Sequence, residues 1–468
     1  MRRNPLLVCS AIAVALLSTV GSAQTRQIGI NVVLNTDITT AILTDLARHG
    51  SVLNTTPEID ALTMRIVESE LTAVRALPYV AAAAPDAQRN GGPVDGVAAT
   101  DFTNGISTWN LDAVNVTNFG STTRTVAYDG SGVYVAVIDT GLLDSWRQYF
   151  PQERIATQFA KAFNGGGGEQ GSVSDPTNKW EHDQNSHGTH VTSTILGYQF
   201  SGAKVNGVAP MATIIPVKVL NQNGSGWSSV VAAGITYVAD LARGPLAGKP
   251  VVINMSLGGS DLDPMEKAAV DYAIANGVIV VASAGNEGEA GMGYPGAYAP
   301  VISVAASGWT GEWPIVNKTL DRSWWFTKDV ADPTNANNFY ITDFSSRELP
   351  GQDLDVAAPG SWVVGPFQTN SGQLSLFFLG GTSMASPHVA GIAALMKQKN
   401  PTLNQPQVES ILETTAIPLP AGCRDVVDPN VVGLTKFCWA NDATGAGLAT
   451  ADAALAAVPG STTPGRKK

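Results

Sequence analysis

Val133-Tyr134-Val135-Ala136-Val137-Ile138-Asp139-Thr140-Gly141 is a run of apolar, largely β-branched residues that stops at a carboxylate followed by a turn glycine. Apolar side chains without a polar alternation describe a strand buried on both faces, with Asp139 standing at its end. Runs of the same kind recur at Thr213–Leu220, Val251–Met255, Val278–Ala282 and Val301–Ala305, and again near Leu354–Ala357 and Leu374–Leu379. Between them lie stretches with helical spacing at Val191–Leu196, Ser228–Ala242, Pro264–Ala275 and Ala385–Gln398. Doubly buried strands alternating with helices predict an α/β fold, a mainly parallel sheet flanked by helices, over residues 108–457. Ligands of such a sheet gather at the carboxyl ends of its strands, which is where Asp139 falls.

Two further segments bring reactive side chains. Asn185-Ser186-His187-Gly188-Thr189-His190-Val191 offers an imidazole, and Gly380-Gly381-Thr382-Ser383-Met384-Ala385-Ser386-Pro387 offers a hydroxyl at the start of a long apolar stretch. That stretch, through Val389, Ile392, Leu395 and Met396, predicts a buried central helix, with Pro387 tolerated in its first turn. A serine becomes a nucleophile only when a base takes its proton, and a helix N-terminus offers free N–H groups to an oxyanion. Read alone, Thr382 or Ser383 would serve equally well as an N-cap. His187 and His190 also suggest a metal, but no His-Glu-x-x-His is present and no third ligand stands out, so zinc is not expected. Asn286, in Ala284-Gly285-Asn286-Glu287-Gly288, closes another apolar run; an asparagine there is also a common turn residue.

The Asp139, His187 and Ser383 segments, in that order, resemble the subtilisin-like serine proteases, the subtilases, over roughly residues 105–455. The resemblance implies a secreted serine endopeptidase with Asp139, His187 and Ser383 as catalytic triad, Asn286 as oxyanion donor, and His190 as a structural histidine. It implies substrate contacts at Gly224, Ser225, Gly226, Ser256, Leu257 and Gly258, segments that pair with an extended peptide as added strands. Gly293 would form the base of the pocket for the residue just before the cut bond, roomy enough for a large apolar side chain, with Glu287 at the rim open to a basic one. No cofactor is required for the chemistry. The family's calcium ligands are not matched: Gln148 stands where an aspartate is usual, and Asn206 alone remains in the loop before Gly207-Val208-Ala209-Pro210. The metal ligand set is therefore unknown, and a different calcium site stays open. An esterase would need a G-x-S-x-G elbow, which is absent. A catalytically inactive secreted peptide-binding homologue would have no need to keep all four catalytic residues.

The flanks complete the organisation. Arg2 and Arg3, an apolar run from Leu6 to Val20, and Gly21-Ser22-Ala23 read as a signal peptide over 1–23 rather than a membrane anchor. Residues 24–86 alternate short strands and helices as a small α+β ferredoxin-like domain, with a degenerate likeness to the subtilase propeptide, an intramolecular inhibitor. Residues 87–107 read as an exposed linker containing the maturation site, and 458–468 as a flexible tail. Cys423 and Cys438 in an exported chain predict a disulfide rather than two buried thiols. A net charge of −11 with 14% charged residues excludes a nucleic-acid partner, which needs a basic face, and no later segment is apolar enough for a membrane. A monomer acting on proteins or peptides is expected. An insertion from Trp309 to Tyr340, carrying Trp309, Trp313, Trp324 and Trp325, is either a packed surface hairpin or an extension of the substrate cleft.

Overall fold

The computed structural model describes residues 26–102, 107–118, 124–164 and 170–460. The expected signal peptide and most of the expected tail lie outside them. The chain begins with β1 (Gln27–Leu34), α1 (Thr40–Leu46), β2 (Gly50–Thr56), β3 (Ala61–Val67), α2 (Leu71–Arg75) and β4 (Val80–Pro85). These form an antiparallel sheet in the order β2-β3-β1-β4, the α+β unit expected from the sequence. Ile30, Val32, Leu46, Leu62, Met64 and Val74 are its buried core, and Thr39 caps α1 by accepting from the Ile42 N–H at 3.3 Å. β2 carries no apolar run and lies at the sheet edge, so its pattern gave no strand signal.

The segment expected as an exposed linker is instead partly strand. β5 (Gln88–Asn90) and β6 (Asp95–Ala99) follow β4 directly, and Asp86 and Arg89 are buried. Both strands are held by main-chain pairing to the α/β body, which needs no side-chain pattern and leaves no trace in the sequence.

The body runs α3 (Trp109–Ala113), β7 (Tyr134–Asp139), β8 (Lys161–Ala162), α4 (His187–Leu196), β9 (Gly197–Phe200), β10 (Ala203–Asn206), β11 (Thr213–Lys218) and β12 (Ser225–Trp227). Then follow α5 (Ser228–Arg243), β13 (Val251–Met255), α6 (Pro264–Ala275), β14 (Ile279–Ser283) and β15 (Ile302–Trp309). The C-terminal part holds β16 (Ile315–Val316), β17 (Thr319–Leu320), α7 (Trp324–Thr327), β18 (Phe339–Ile341), β19 (Val356–Pro359), β20 (Val363–Pro366), β21 (Leu376–Gly380) and α8 (Thr382–Lys399). It ends with α9 (Gln405–Thr415), β22 (Gly422–Asp428), β23 (Gly433–Trp439) and α10 (Ala451–Ala457).

The central sheet has the order β18-β15-β14-β13-β7-β11-β8, with β19 also on β15, and within it only β18 is antiparallel. Side chains of β7 alternate between the two cores: Val135 and Val137 face the one that contains α8, Ala136 and Ile138 the one that contains α5 and α6. α8 is buried from Thr382 to Lys397, its apolar stretch from Val389 to Met396 together with the polar residues of its first turns.

The Trp-rich insertion is a packed element. Its β16–β17 hairpin leaves Ile315 and Val316 exposed, while Trp313, Trp324 and Trp325 are buried and pack with Trp109, Trp362 and Phe378. Cys423 and Cys438 face each other directly in the β22–β23 ladder and form the expected disulfide.

Candidate active site

β7 delivers Asp139 at its last residue, fully buried. His187 opens α4, and its Nδ1 donates to Asp139 at 2.9 Å to Oδ1 and 3.0 Å to Oδ2. The Thr140 N–H donates to the same Oδ1 at 2.6 Å. The approach of α4 to the strand end depends on Gly188, where a Cβ would lie 2.4 Å from the Gly141 carbonyl oxygen and 3.2 Å from Asp139 Oδ1. Ser186, just before His187, sits at φ 80°, a left-handed conformation uncommon outside glycine and frequent at functional sites. With Nδ1 engaged, His187 Nε2 is buried and has no hydrogen-bond partner among the described residues.

Beneath the pair, burial pushes Asp183 up to about 6, against the pull of Lys218. Asp183 accepts from the Thr140 hydroxyl and the Ser186 N–H, and Lys218 donates to the Thr140 and Leu220 carbonyls. These bonds lock the loop after Asp139.

The other histidines serve elsewhere. His190, held neutral by burial with its value down to about 3, contacts the Val363 carbonyl. His388, down to about 4 for the same reason, contacts Asn110 and the Met384 carbonyl. His182 lies half exposed beside Asp144, and His49 beside Glu70 in the N-terminal unit.

Ser383 is in the first turn of α8, after Gly381, and α8 packs against α4. Its Oγ donates to the Ser256 carbonyl at 3.3 Å. Asn286 Oδ1 accepts from the Thr382 N–H and hydroxyl, each at 2.9 Å, which fixes the amide and leaves its NH2 to donate elsewhere. Glu287 directs Oε2 to the Asn286 N–H and the Ser346 hydroxyl, so that oxygen is already engaged.

Ser383 and Asn286 line a cavity of about 560 Å³ together with Leu257, Gly258, Gly285 and Gly293. Gly224 and Gly258 line it as well, and the chain's own residues 88–94 run between the Gly224–Gly226 segment and Gly258. Asn90 exchanges both main-chain bonds with Gly258 at 2.9 Å, and the Gly91 N–H donates to the Gly224 carbonyl at 2.8 Å. Ser225 pairs with Asn90 and Gly226 with Arg89 in antiparallel register. Past the site, the Val94 N–H donates to the Gly380 carbonyl at 2.7 Å. Gly92 and Pro93, between these anchors, line the same cavity as Ser383. Ser256 lies under the helix start, its hydroxyl donating to the Ser383 carbonyl at 2.9 Å. Sequence reasoning missed Asn90 to Val94, and it missed Glu266, whose place in the first turn of α6 looks like an ordinary helix-dipole carboxylate.

The acidic position missing at Gln148 is filled by an exposed amide ending a 3-10 turn, and Asn206 is paired in the β9–β10 hairpin. Neither brings a carboxylate, so these positions do not fit a tightly held calcium ion.

The chain is similar to known proteins in sequence and in fold. The sequence profile of the Subtilase family matches residues 130–451. Subtilisin DY of Bacillus licheniformis is 35% identical over 293 residues, which cover 62% of this chain and 85% of that protein. Subtilisin E of Bacillus subtilis is 36% identical over 293 residues, 62% of this chain and 61% of that protein. Among solved structures, fervidolysin from Fervidobacterium pennivorans, a keratinolytic enzyme related to subtilisin, has a TM-score of 0.64 over 94% of this chain and 62% of its own. Its 24% identity makes that a likeness of fold. The S41 psychrophilic protease has a TM-score of 0.51 at 29% identity over 74% of this chain and 99% of its own.

Proposed function

This chain belongs to the subtilase family, and we propose that it is a secreted serine endopeptidase cutting peptide bonds through an acyl-enzyme. The observation that carries the reading is the Asp139–His187 pair, whose unpartnered Nε2 belongs to a site where Ser383 meets a peptide laid in as an added strand. Ser383 Oγ, rotated away from the Ser256 carbonyl, attacks the peptide carbonyl while His187 Nε2 takes its proton. Asp139 stabilises the imidazolium. The oxygen that becomes negative accepts hydrogen bonds from the Asn286 amide and the N–H groups at the start of α8, interactions that strengthen only in the transition state. His187 then passes the proton to the leaving nitrogen, and water reverses the sequence to release the acid.

In this reading residues 24–86 are a propeptide and 88–94 its inhibitory extension through the cleft, leaving a monomeric enzyme that acts on proteins or peptides. The main-chain pairing of Asn90 and Gly91 supports it. The test is casein digestion by the secreted protein, with and without a serine-directed sulfonyl fluoride, beside Ser383→Ala. Digestion blocked by the reagent and absent in the variant is expected. No digestion by the unmodified, processed protein would favour an inactive peptide-binding homologue.

A further inference from the structure

The strongest polar feature outside the catalytic groups is a buried ion pair. Arg89 Nε donates to Glu266 Oε1 at 3.0 Å and Nη2 to Oε2 at 2.6 Å, and neither side chain is exposed. Nη2 also reaches the Asp261 carbonyl at 2.8 Å, and Nη1 the Gln88 carbonyl at 3.0 Å. Burying two charges gains little stability over a well-packed apolar pair, so such a pair is better explained by recognition. The wall beside it is cut to fit: a Cβ at Gly259 would lie 2.7 Å from Arg89 Nη1.

One partner belongs to the body of the protein and the other to the strand laid in the cleft. Glu266 is fixed in the first turn of α6, which Asp263 caps by accepting from the Met265 and Glu266 N–H groups. Arg89 arrives on the peptide strand. The anchors at Asn90, Gly91 and Val94 hold Gly92 and Pro93 in the cavity that Ser383 lines; with the bond between them as the one offered to Ser383, Arg89 is the fourth residue upstream of it. When this strand leaves, Glu266 becomes a recessed carboxylate without its cation, facing the place where the fourth upstream residue of any bound peptide must sit.

We propose that Glu266 is a specificity-determining residue that selects arginine at the fourth position upstream of the cut bond, in the chain's own N-terminal segment and in its protein substrates. A guanidinium presents a planar fork that both carboxylate oxygens can accept, which an ammonium does not, so lysine serves less well. The inference rests on the peptidase reading above.

The test uses the processed enzyme and peptides identical except for Arg, Lys, Leu or Glu at that fourth position, with a shorter peptide carrying only three residues before the cut. The Arg peptide is expected to exceed the Leu peptide in kcat/KM by about tenfold or more, with Lys between them and Glu last. In Glu266→Gln the Arg-to-Leu ratio should fall close to one; being a ratio within one preparation, it is insensitive to the folded fraction. Equal cleavage of Arg and Leu peptides by the unmodified enzyme, or an unchanged ratio in Glu266→Gln, overturns the inference. If the variant does not accumulate, the unmodified enzyme's ratio decides alone. Failure to cut any of these peptides would overturn the peptidase reading instead, whereas cutting the four longer ones and the shorter one at equal rates removes only the role of Glu266.

Discussion

Asp86 and Ser229 lie 143 positions apart and are joined twice: Oδ1 accepts from the Ser229 N–H at 2.9 Å and Oδ2 from its hydroxyl at 2.7 Å. Ser228 Oγ also donates to Asp86 at 2.9 Å. α5 has no side-chain cap from its own N-cap residue, Trp227, so the N-terminal segment supplies both the capping oxygens and a negative charge for the helix dipole. Asp86→Ala in a Ser383→Ala precursor leaves buried donors without an acceptor and should cost about 1–3 kcal/mol. Urea unfolding measures this, and a loss within error would mean that the contact contributes nothing to docking.

Maturation should turn on the bond that the register brings to Ser383. Proline at the leaving side has no N–H and restricts the residue before it, so the Gly92–Pro93 bond should be cut slowly. Pro93→Ala is expected to shorten the precursor's lifetime several-fold, with the new amino terminus at position 93, and Ser383→Ala to leave the precursor whole. A time course with N-terminal sequencing, in a host without extracellular proteases, checks all of this. Processing of Ser383→Ala at the same place would assign the cut to another enzyme.

Gly92 has no side chain to fill the cavity that Gly258, Gly285 and Gly293 keep open. Cleavage after large apolar or aromatic residues is therefore expected. Gly293 is the position at which to narrow the pocket: a Cβ there meets nothing closer than 3.5 Å, whereas one at Gly285 would strike Glu287 Oε2 at 2.5 Å with φ at +109°. Gly293→Val should shift preference toward small residues, read by profiling a peptide library. A preference of the unmodified enzyme for acidic residues at that position would contradict the pocket.

Calcium dependence should be weak, because Gln148 and Asn206 bring no carboxylate to the positions considered above. Melting in chelator and in added calcium should nearly coincide. A collapse of the melting temperature by tens of degrees in chelator would reveal a site built from other oxygens.

Burial pushes Glu312 up to about 8, although the Trp309 N–H and the Ser361 and Tyr340 hydroxyls donate to it, and pushes Asp355 up to about 8 as well. The folded chain thus holds protons that the unfolded chain has released, so this contribution is full at acid pH and is lost as pH rises toward 8. His190 and His388, held neutral by burial, act in the opposite sense: their contribution is complete above the ordinary 6.5 and is lost on acidification. From pH 6.5 to 8 the melting temperature of the Ser383→Ala protein should fall through its carboxylates. Glu312→Gln, which keeps the shape without the titration, should flatten that fall; an unaltered slope would rule out Glu312 as a source.

The sequence by itself determined the α/β body, because strands buried on both faces must be apolar throughout and helices between them must carry a spaced apolar face. Asp139, His187 and Ser383 stood out in it as candidates for a related reason: each sits where an element begins or ends. The disulfide was legible too, since two cysteines in a chain that reads as exported have few other expected uses. Only the tertiary structure decided that residues 88–94 run through the cleft, because main-chain hydrogen bonds hold them and every residue but proline can offer those. Only it placed Arg89 against Glu266 and Asp86 against Ser229, separated by 177 and 143 positions. The value of a charge or a cap depends on what folding brings beside it and on how much water is excluded there, and neither is a property of the residue alone.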